Sequence, residues 1–399
     1  MSTLNVDKVD PSTGTALEIG TSGDTITVPS GATFVVAGTT EITGTNNVQR
    51  PNVNPLIING DMAVAQRSTS VASITASGYH TIDRWQTNCT AGGTWTQSQD
   101  TTVPTGQGFA KSLKMDCTTA DGSLAAGDRL IIQQAIEGQN LQYLKKGTSS
   151  AESLTVSFWV YATKTGTNIV ELWDNDNTRQ ISKSYTINTT NTWEQKELTF
   201  AGDTTGAFGN DNAASLYLNF YLCAGSTYSS GTLNTSWASN TNANRAVGQV
   251  NHADSDSNDF YITGIQLEVG EYTSSTIPPF QHESYGDNLA RCQRYFYKTS
   301  AVLNMPYCAA YCASTTNVRG YITYPQIMRA TPSMDRNTIT SFTIYAGGTS
   351  AAATVVNFYY GNSQQCEIYV NVASGLTEGE GCLIIDNDGT STLEGDAEL

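Results

Sequence analysis

The sequence predicts an all-β protein, and three features of its composition support this. The 399 residues include 35 Gly and 20 Tyr, which favour short strands and tight turns over helices. Only 14% of the residues are charged, so uncharged polar side chains must supply most of the exterior. A chain of this length has room for two or three domains. We therefore expect three units, at residues 1–50, 51–285 and 286–399.

The charge of the chain argues against some classes of partner. Its formal net charge is −16, whereas a protein that neutralises nucleic-acid phosphates needs clustered Lys and Arg. No apolar stretch reaches the roughly 18 residues that suggest a membrane-spanning helix. Met1 is not followed by the basic and apolar segments of a secretory leader. We expect a soluble, unsecreted protein that neither binds nucleic acid nor inserts into a membrane.

Residues that could carry enzyme or metal chemistry are few. Of the eight cysteines only Cys308 and Cys312 lie close together, whereas a four-thiolate zinc site needs two tight pairs. We expect reduced cysteines that behave as small apolar residues. None of the three histidines lies in a motif for nucleophilic or metal chemistry, and no nucleotide-binding fingerprint occurs. The sequence therefore predicts no enzymatic activity.

Residues 1–50 contain short apolar segments separated by glycines. Strands this short cannot bury a hydrophobic face by themselves. They become stable when the same segment of other chains completes the core, which indicates a β shaft or a virion-attachment arm in an oligomer. A disordered tail is the alternative interpretation.

The end of the chain, residues 376–399, is acidic. It contains seven Asp or Glu residues and no basic residue, a pattern typical of a solvated tail. We predict such a tail here, with a repulsive tip as the functional alternative.

Alternating apolar and polar residues dominate the central part of the chain. In residues 154–161 Leu, Val, Phe and Val share one face of the predicted strand, and residues 215–222 and 265–269 repeat this pattern. Several such strands with Gly, Asn and Thr loops between them indicate an antiparallel β-sandwich of the jelly-roll type.

The pattern changes after Pro278 and Pro279. Asp287 is predicted to cap a short helix in which Leu289, Cys292 and Phe296 recur at helical spacing. Short predicted strands then form a smaller C-terminal β-domain. These strands span residues 318–324, 342–345, 354–360, 366–372 and 383–385.

Several segments resemble tail-fibre and tail-spike proteins of tailed phages. In the C-terminal part these are Cys292-Gln293-Arg294-Tyr295, within residues 289–297, and Met328-Arg329-Ala330-Thr331-Pro332, within 325–332. The central segments resemble the carbohydrate-binding-module jelly roll of such fibres. They span residues 54–62, 66–67, 79–85, 133–138, 154–160, 264–270 and 278–282.

The resemblance implies a homotrimeric virion protein that attaches to host-surface polysaccharide. Residues 1–50 would join it to other tail or virion proteins, and it would be assembled in the bacterial host cytoplasm. Two alternatives stay open. One is a purely structural particle protein, such as a head fibre, capsid decoration or tail connector, and the other is a polysaccharide depolymerase spike.

Aromatic residues on the polar faces of the predicted strands are the candidate glycan contacts. Sugars stack their C–H faces on aromatic rings, beside amides that match the hydroxyls. The alternative is that these rings pack against a neighbouring subunit. The candidates are Trp159, Tyr161, Tyr217 and Tyr221, on strands that could lie in one sheet, together with Trp173.

Acidic residues suggest two further kinds of site, a catalytic carboxylate pair and a calcium site. A depolymerase needs two suitably spaced carboxylates, and Glu171, Asp174 and Asp176 around Trp173 are the most suggestive group. The resemblance to jelly-roll glycan modules also implies a possible structural calcium, here at Asn59, Asp61 and Glu268. Residues 254–259 fail as a calcium loop of the EF-hand type because the required glycine is absent.

Overall fold

The protein is 45% strand and 7% helix, so the all-β prediction is confirmed. The computed structural model describes residues 55–399, which belong to one compact unit. The shaft or attachment arm predicted for residues 1–50 lies outside the described residues.

The first part of the described chain forms one continuous antiparallel sheet that folds over on itself. A one-turn helix, α1 (Ser226–Ser229), interrupts the succession of strands. The strands are β1 (Ser70–Tyr79), β2 (Gln86–Asp100), β3 (Ser112–Thr119), β4 (Arg129–Glu137), β5 (Leu154–Ala162), β6 (Gly166–Asp174), β7 (Arg179–Ile187), β8 (Glu194–Phe200), β9 (Ala214–Ala224), β10 (Ala238–Ser239) and β11 (Asp259–Val269).

Strand β2 bends and thereby belongs to both halves of the sheet. Its first five residues pair with β4, whereas residues 94–100 pair with β3. Between them Ala91, Gly92 and Gly93 have positive φ angles of 51°, 81° and 84°. A Cβ at Gly93 would lie 2.7 Å from the Thr119 carbonyl oxygen, so the bend requires glycine there.

The two halves pack face to face as a sandwich. One half has the order β10-β7-β6-β9-β4-β2 and the other β2-β3-β11-β5-β8. Phe158 on β5 makes edge contacts with Phe220 on β9 and Tyr185 on β7, at centroid distances of 5.0 and 5.1 Å. The predicted inward residues are all buried, as expected. They are Leu154, Val156, Phe158, Val160, Leu216, Leu218, Phe220 and Leu222.

Helix α2 (Tyr285–Gln293) follows the sandwich. Its cap is Ser284, not the predicted Asp287: the Ser284 hydroxyl accepts from the Asp287 backbone N–H and donates to the Asp287 carboxylate. The Ser284 hydroxyl thereby satisfies one of the free N–H groups in the first turn of the helix. Phe296 lies beyond the helix, in the next strand. In the described part of the chain no helix is long and apolar enough to cross a membrane.

The remaining strands form a six-stranded closed barrel, of order β13-β14-β18-β17-β16-β19, and a three-stranded sheet, β12-β20-β15. The bounds are β12 (Phe296–Lys298), β13 (Pro306–Cys312), β14 (Asn317–Thr323), β15 (Ser333–Arg336), β16 (Phe342–Ala346), β17 (Thr349–Tyr359), β18 (Gln365–Val372), β19 (Gly381–Asp386) and β20 (Leu393–Asp396). The barrel core is apolar and separate from that of the sandwich.

The prediction of a solvated acidic tail is wrong. Strand β20 pairs with both β12 and β15, and the Ala397 N–H donates to the Tyr295 carbonyl at 2.7 Å. The carboxylate of Glu398 forms an ion pair with Arg84, whose side chain is only 1% exposed. Composition alone could not show that a buried arginine of the sandwich forms an ion pair with this acidic segment.

The barrel part also contacts the sandwich through Glu137. This buried carboxylate accepts two hydrogen bonds from the Arg294 guanidinium, at 2.9 and 2.8 Å, and one from the Tyr295 hydroxyl at 2.5 Å. Because the two parts share such buried contacts, the domain boundary at residue 285 stays a prediction.

A buried carboxyl before β2 gives stability a specific pH dependence. Asp83 accepts hydrogen bonds from the backbone and side-chain amides of Gln66, yet burial raises its pKa from 3.8 to about 6. The folded state therefore binds this proton more tightly than the unfolded state. The resulting stabilisation is full below the unfolded pKa and is lost as pH rises through the folded pKa.

We expect Asp83→Asn to flatten the pH profile of stability. Between about pH 4 and pH 7 the wild type should lose on the order of 2 kcal/mol more than this variant. Urea unfolding midpoints over that range provide the measurement. Parallel profiles for the two proteins would show that Asp83 titrates normally.

Candidate functional site

Trp173 and Tyr217 lie side by side on the outer face of one half of the sandwich. Trp173 on β6 is the cross-strand partner of Tyr217 on β9, and Gln180 on β7 is opposite Trp173 on its other side. Side chains of such partners lie on the same face, with Cβ atoms about 5 Å apart. Both aromatic side chains are only half-buried, so the structure brings two predicted glycan contacts together.

A row of amides runs beside the two rings. Gln86 on β2, Gln133 on β4 and Asn219 on β9 are successive cross-strand partners. Gln133 donates to Gln86 at 2.6 Å and accepts from Asn88 at 3.1 Å. The Asn219 Oδ1 atom is buried, with no hydrogen-bond partner in the described part of the chain. A ligand hydroxyl that reached this oxygen would supply its missing hydrogen bond. We call Trp173, Tyr217, Gln133 and Asn219 the Trp173 surface.

Glu171 and Arg245 form a buried ion pair next to this surface. The Arg245 Nε and Nη2 atoms donate to the two Glu171 oxygens, each at 2.8 Å. Burial opposes the charge of Arg245, but the Glu171 carboxylate more than offsets this and raises its pKa. The guanidinium also lies 4.4 Å from the centroid of the Trp173 ring, a cation–π contact that fixes the ring.

Tyr221 is not available to a ligand, contrary to the sequence interpretation. It is on the predicted outer face, but it is 0% exposed because residues 226–246 cover this end of the sheet. Ala246 and Tyr228 pack against it, and its hydroxyl donates to Glu171 at 3.2 Å. The covering segment follows β9 almost directly, but its sequence carries no periodic signal that would place it over the strand.

Trp159 and Tyr161 lie on the other half of the sandwich, so the five candidates do not share one sheet face. Tyr161 on β5 contacts Tyr261 and Trp193, at centroid distances of 5.0 and 5.6 Å. The half-buried Trp159 lies opposite Gln195 on β8. Tyr261 and Trp193 were not among the predicted residues; alternation along β11 could have indicated Tyr261.

The three predicted calcium ligands all line one small cavity. The cavity, of about 20 Å³, is bordered by Asn59, Asp61 and Glu268. The Asn59 amide is fully used: its Oδ1 accepts from the Val64 N–H at 2.9 Å and its Nδ2 donates to the Val64 and Asp83 carbonyls. Burial raises the pKa of Glu268. Among residues 55–399 no group of three or more His, Cys, Asp or Glu could hold a metal ion.

The three acidic residues around Trp173 do not form a carboxylate pair. Glu171 faces outward with Arg245, whereas Asp174 is buried on the opposite face and contacts Lys146 at 2.5 Å. Asp176 accepts from the Gly209 N–H at 2.8 Å in a loop. A strand that alternates its faces separates positions 171 and 174.

No known family model matches the sequence, and no curated protein matches it. Solved structures that match part of this chain include the enzymatically active domain of bacteriophage CBA120 tailspike protein 4. It is 14% identical, with a TM-score of 0.29, and the match covers 54% of this chain and 21% of that one. This chain thus spans about a fifth of that protein.

Two further similar structures are described as sugar-binding proteins. A family 11 carbohydrate-binding module from Clostridium thermocellum is 11% identical, with a TM-score of 0.24, and the match covers 51% of this chain and 98% of the module. A putative sugar-binding protein from Bacteroides thetaiotaomicron is 11% identical, with a TM-score of 0.29, and the match covers 54% and 100%. With scores this low, function has to be argued from this chain's own residues.

Proposed function

We propose that this chain is a virion structural protein, a tail-fibre or tail-spike subunit that attaches a tailed phage to glycan on the host surface. The observation that carries the glycan role is the Trp173 surface. Two half-exposed rings lie beside a buried, unpartnered acceptor, Asn219 Oδ1. Stacking on Trp173 and Tyr217 would bind the apolar face of a sugar, and the amides would bind its hydroxyls.

The charges of this surface favour a neutral sugar unit. Glu171, the cross-strand partner of Asn219, is neutralised by Arg245, and Gln133 and Asn219 are uncharged. Neutral amides pair with hydroxyls in either hydrogen-bonding direction. The Trp173 surface therefore suits a hexose chain without acidic groups.

Binding without cleavage is part of the proposal. Glycoside hydrolysis needs one carboxyl group as acid and a second at a matching distance. Glu171 is held by the Arg245 guanidinium, and Asp174 lies on the other face of the sheet. These contacts support a non-enzymatic role over the depolymerase alternative.

In this proposal the protein is a homotrimer, and residues 1–50 attach it to other tail proteins. It is assembled in the bacterial cytoplasm and becomes part of the virion. Exposed apolar side chains around the barrel support contact between chains. Tyr345 lies opposite Leu383, and Tyr321 and Tyr359 both lie opposite Glu367. Exposed apolar groups that adjoin in this way are typical of interaction surfaces. The same surface would serve a purely structural particle protein.

Glycan retention by single variants tests the proposal. Trp173→Ala and Tyr217→Ala should each weaken binding to host polysaccharide by about 2 kcal/mol, roughly thirtyfold, as for a central aromatic contact. The matched control is Tyr285→Ala, which removes a tyrosine that is 61% exposed at the start of α2.

Three outcomes separate the alternatives in this experiment. Intact trimers, verified by sedimentation, that bind no host polysaccharide would favour the purely structural role. Release of reducing ends from the polysaccharide would favour the depolymerase. A monomer near the 42.7 kDa chain mass would contradict the trimeric fibre itself.

A further inference from the structure

The C-terminal part contains a cavity of about 480 Å³ beside the barrel. It lies beside residues 356–359 of β17, in the half of that strand that pairs with β18 and not with β16. Strand β15 borders the cavity through Arg336, and the turn after β17 borders it through Tyr360. None of the residues that are described as lining it belongs to the sandwich.

The lining of this cavity has a positive charge and no negative one. Arg336 is its single charged side chain among the described lining residues, in a chain of net charge −16. The other polar groups of the lining include the amide of Asn357 and the hydroxyls of Tyr324 and Tyr359. An acidic protein that keeps one cation in an acid-free cavity offers a local site for an anion.

Arg336 is less fully paired than Arg245 and Arg294. Its nearest carboxylate belongs to its neighbour Asp335, at 3.7 Å, and the Asp335 side chain is 76% exposed. The Arg336 Nε is buried and has no hydrogen-bond partner within the described residues. By contrast, Arg245 and Arg294 each make two bonds to a carboxylate within 2.9 Å. The Arg336 guanidinium can therefore donate hydrogen bonds to a carboxylate of a ligand.

A second buried group in the cavity also lacks a partner. Tyr324 is 5% exposed, and its hydroxyl has no nitrogen or oxygen partner in residues 55–399. The thiol of Cys366, a weak acceptor, lies beside it. A buried hydroxyl left unbonded costs free energy, which a bound ligand would recover.

Tyr360 provides an aromatic ring at the mouth of the cavity. The ring is 81% exposed, and its backbone has a φ of +47°, a conformation that is strained for a bulky residue. Strain of this kind concentrates at binding sites. Tyr359 lies next to it, at a centroid distance of 6.3 Å. The two rings offer a stacking surface within reach of Arg336.

We infer that this cavity is a second saccharide-binding site, which takes a sugar unit bearing a carboxylate. The carboxylate pairs with Arg336, the sugar ring stacks on Tyr360, and a ligand oxygen accepts from the Tyr324 hydroxyl. The site shares only its ligand class with the Trp173 surface, and it uses no residue of the sandwich. A uronic acid and a sialic acid both present the required group.

Calorimetric titration with three probes tests this site, in the full chain carrying Trp173→Ala so that the neutral sugar cannot bind at the Trp173 surface. The probes are a galacturonic-acid disaccharide, a sialylated trisaccharide and the neutral digalactoside. We expect at least one acidic probe to bind and the neutral one to bind at least tenfold more weakly, because a charge-assisted pair is lost. Binding should weaken as ionic strength rises. Equal binding of all three probes, or binding of none, would overturn the inference.

Variants assign the binding to this cavity. Arg336→Gln should weaken binding of the acidic probe by about tenfold or more. The control Lys111→Gln, which removes a positive charge from the sandwich, should leave this affinity unchanged. Tyr360→Gly removes the ring and relieves the backbone strain, so it should lose affinity without loss of fold. Unchanged affinity in Arg336→Gln would refute the site. Trp173→Ala should leave acidic binding intact, which separates this test from that of the Trp173 surface.

Discussion

Replacement of Arg245 by leucine should destabilise the protein by about 3–5 kcal/mol, the cost of breaking a buried ion pair by removing one partner. The Glu171 side chain is 0% exposed. Without Arg245 its charge would keep only two neutral donors, the Asn219 amide at 2.8 Å and the Tyr221 hydroxyl at 3.2 Å. Urea unfolding at pH 7 measures the effect.

The same substitution should weaken glycan binding. Arg245 holds the Trp173 ring in place by a cation–π contact at 4.4 Å, so its loss frees the ring to adopt other rotamers. Ordering it again on binding costs free energy. The expected pattern is a loss of affinity smaller than that of Trp173→Ala, in protein that is still folded at low temperature.

A matched arginine provides the control. Arg179 also donates two hydrogen bonds to a buried carboxylate, that of Asp203, at 2.7 and 3.1 Å. However, Asp203 keeps a second cation, Lys146, at 3.1 Å. Arg179→Leu should therefore cost clearly less, about 1–2 kcal/mol. Equal losses of unfolding free energy in the two variants would mean that water molecules solvate the Glu171 carboxylate once Arg245 is gone.

The double variant Arg245→Leu with Glu171→Gln isolates the charge. With both partners neutral, no buried carboxylate remains unpaired, so part of the lost stability should return. A double variant no more stable than Arg245→Leu would assign the cost to lost packing on Trp173 instead.

The sequence predicted those features of the fold that depend on residues close together in the chain. The alternation in residues 154–161 and 215–222 defines which side chains enter the core, because strands repeat every two residues. It could not show that Trp173 and Tyr217 meet, since the register of β6 and β9 joins positions 44 residues apart. For the same reason Trp159 and Tyr161 could not be assigned to the other half of the sandwich.

Long-range ion pairs explain most of what the sequence did not reveal. Arg245 and Glu171 are 74 positions apart, and a single chain gives no signal that links them. Asn59 was a reasonable oxygen ligand by residue type, but its amide is used to close the local turn with Val64. Burial and partner choice depend on the complete fold, which residue types alone do not define.

Glu398→Ala should cost about 3–5 kcal/mol, because it leaves the Arg84 guanidinium buried without its counterion. Arg84 is held in the sandwich by the Ala135 carbonyl at 2.7 Å and stacks on Tyr295 at 3.5 Å, so it cannot move to solvent. The Glu398 carboxylate raises the Arg84 pKa against the effect of burial. Urea unfolding measures the global cost, and hydrogen exchange of the β20 amides reports local release of the segment.

Glu378→Ala is the control from the same acidic stretch. Glu378 is exposed, so its loss should change stability by less than about 0.5 kcal/mol. Because the Arg84 pair is buried, the difference between the two variants should persist at high salt, where surface charges are screened. Equal, small effects for both variants would restore the solvated tail that the composition indicates. A large effect of Glu398→Ala alone, removed by adding Arg84→Leu, would establish that one buried cation holds the end of the chain against the sandwich.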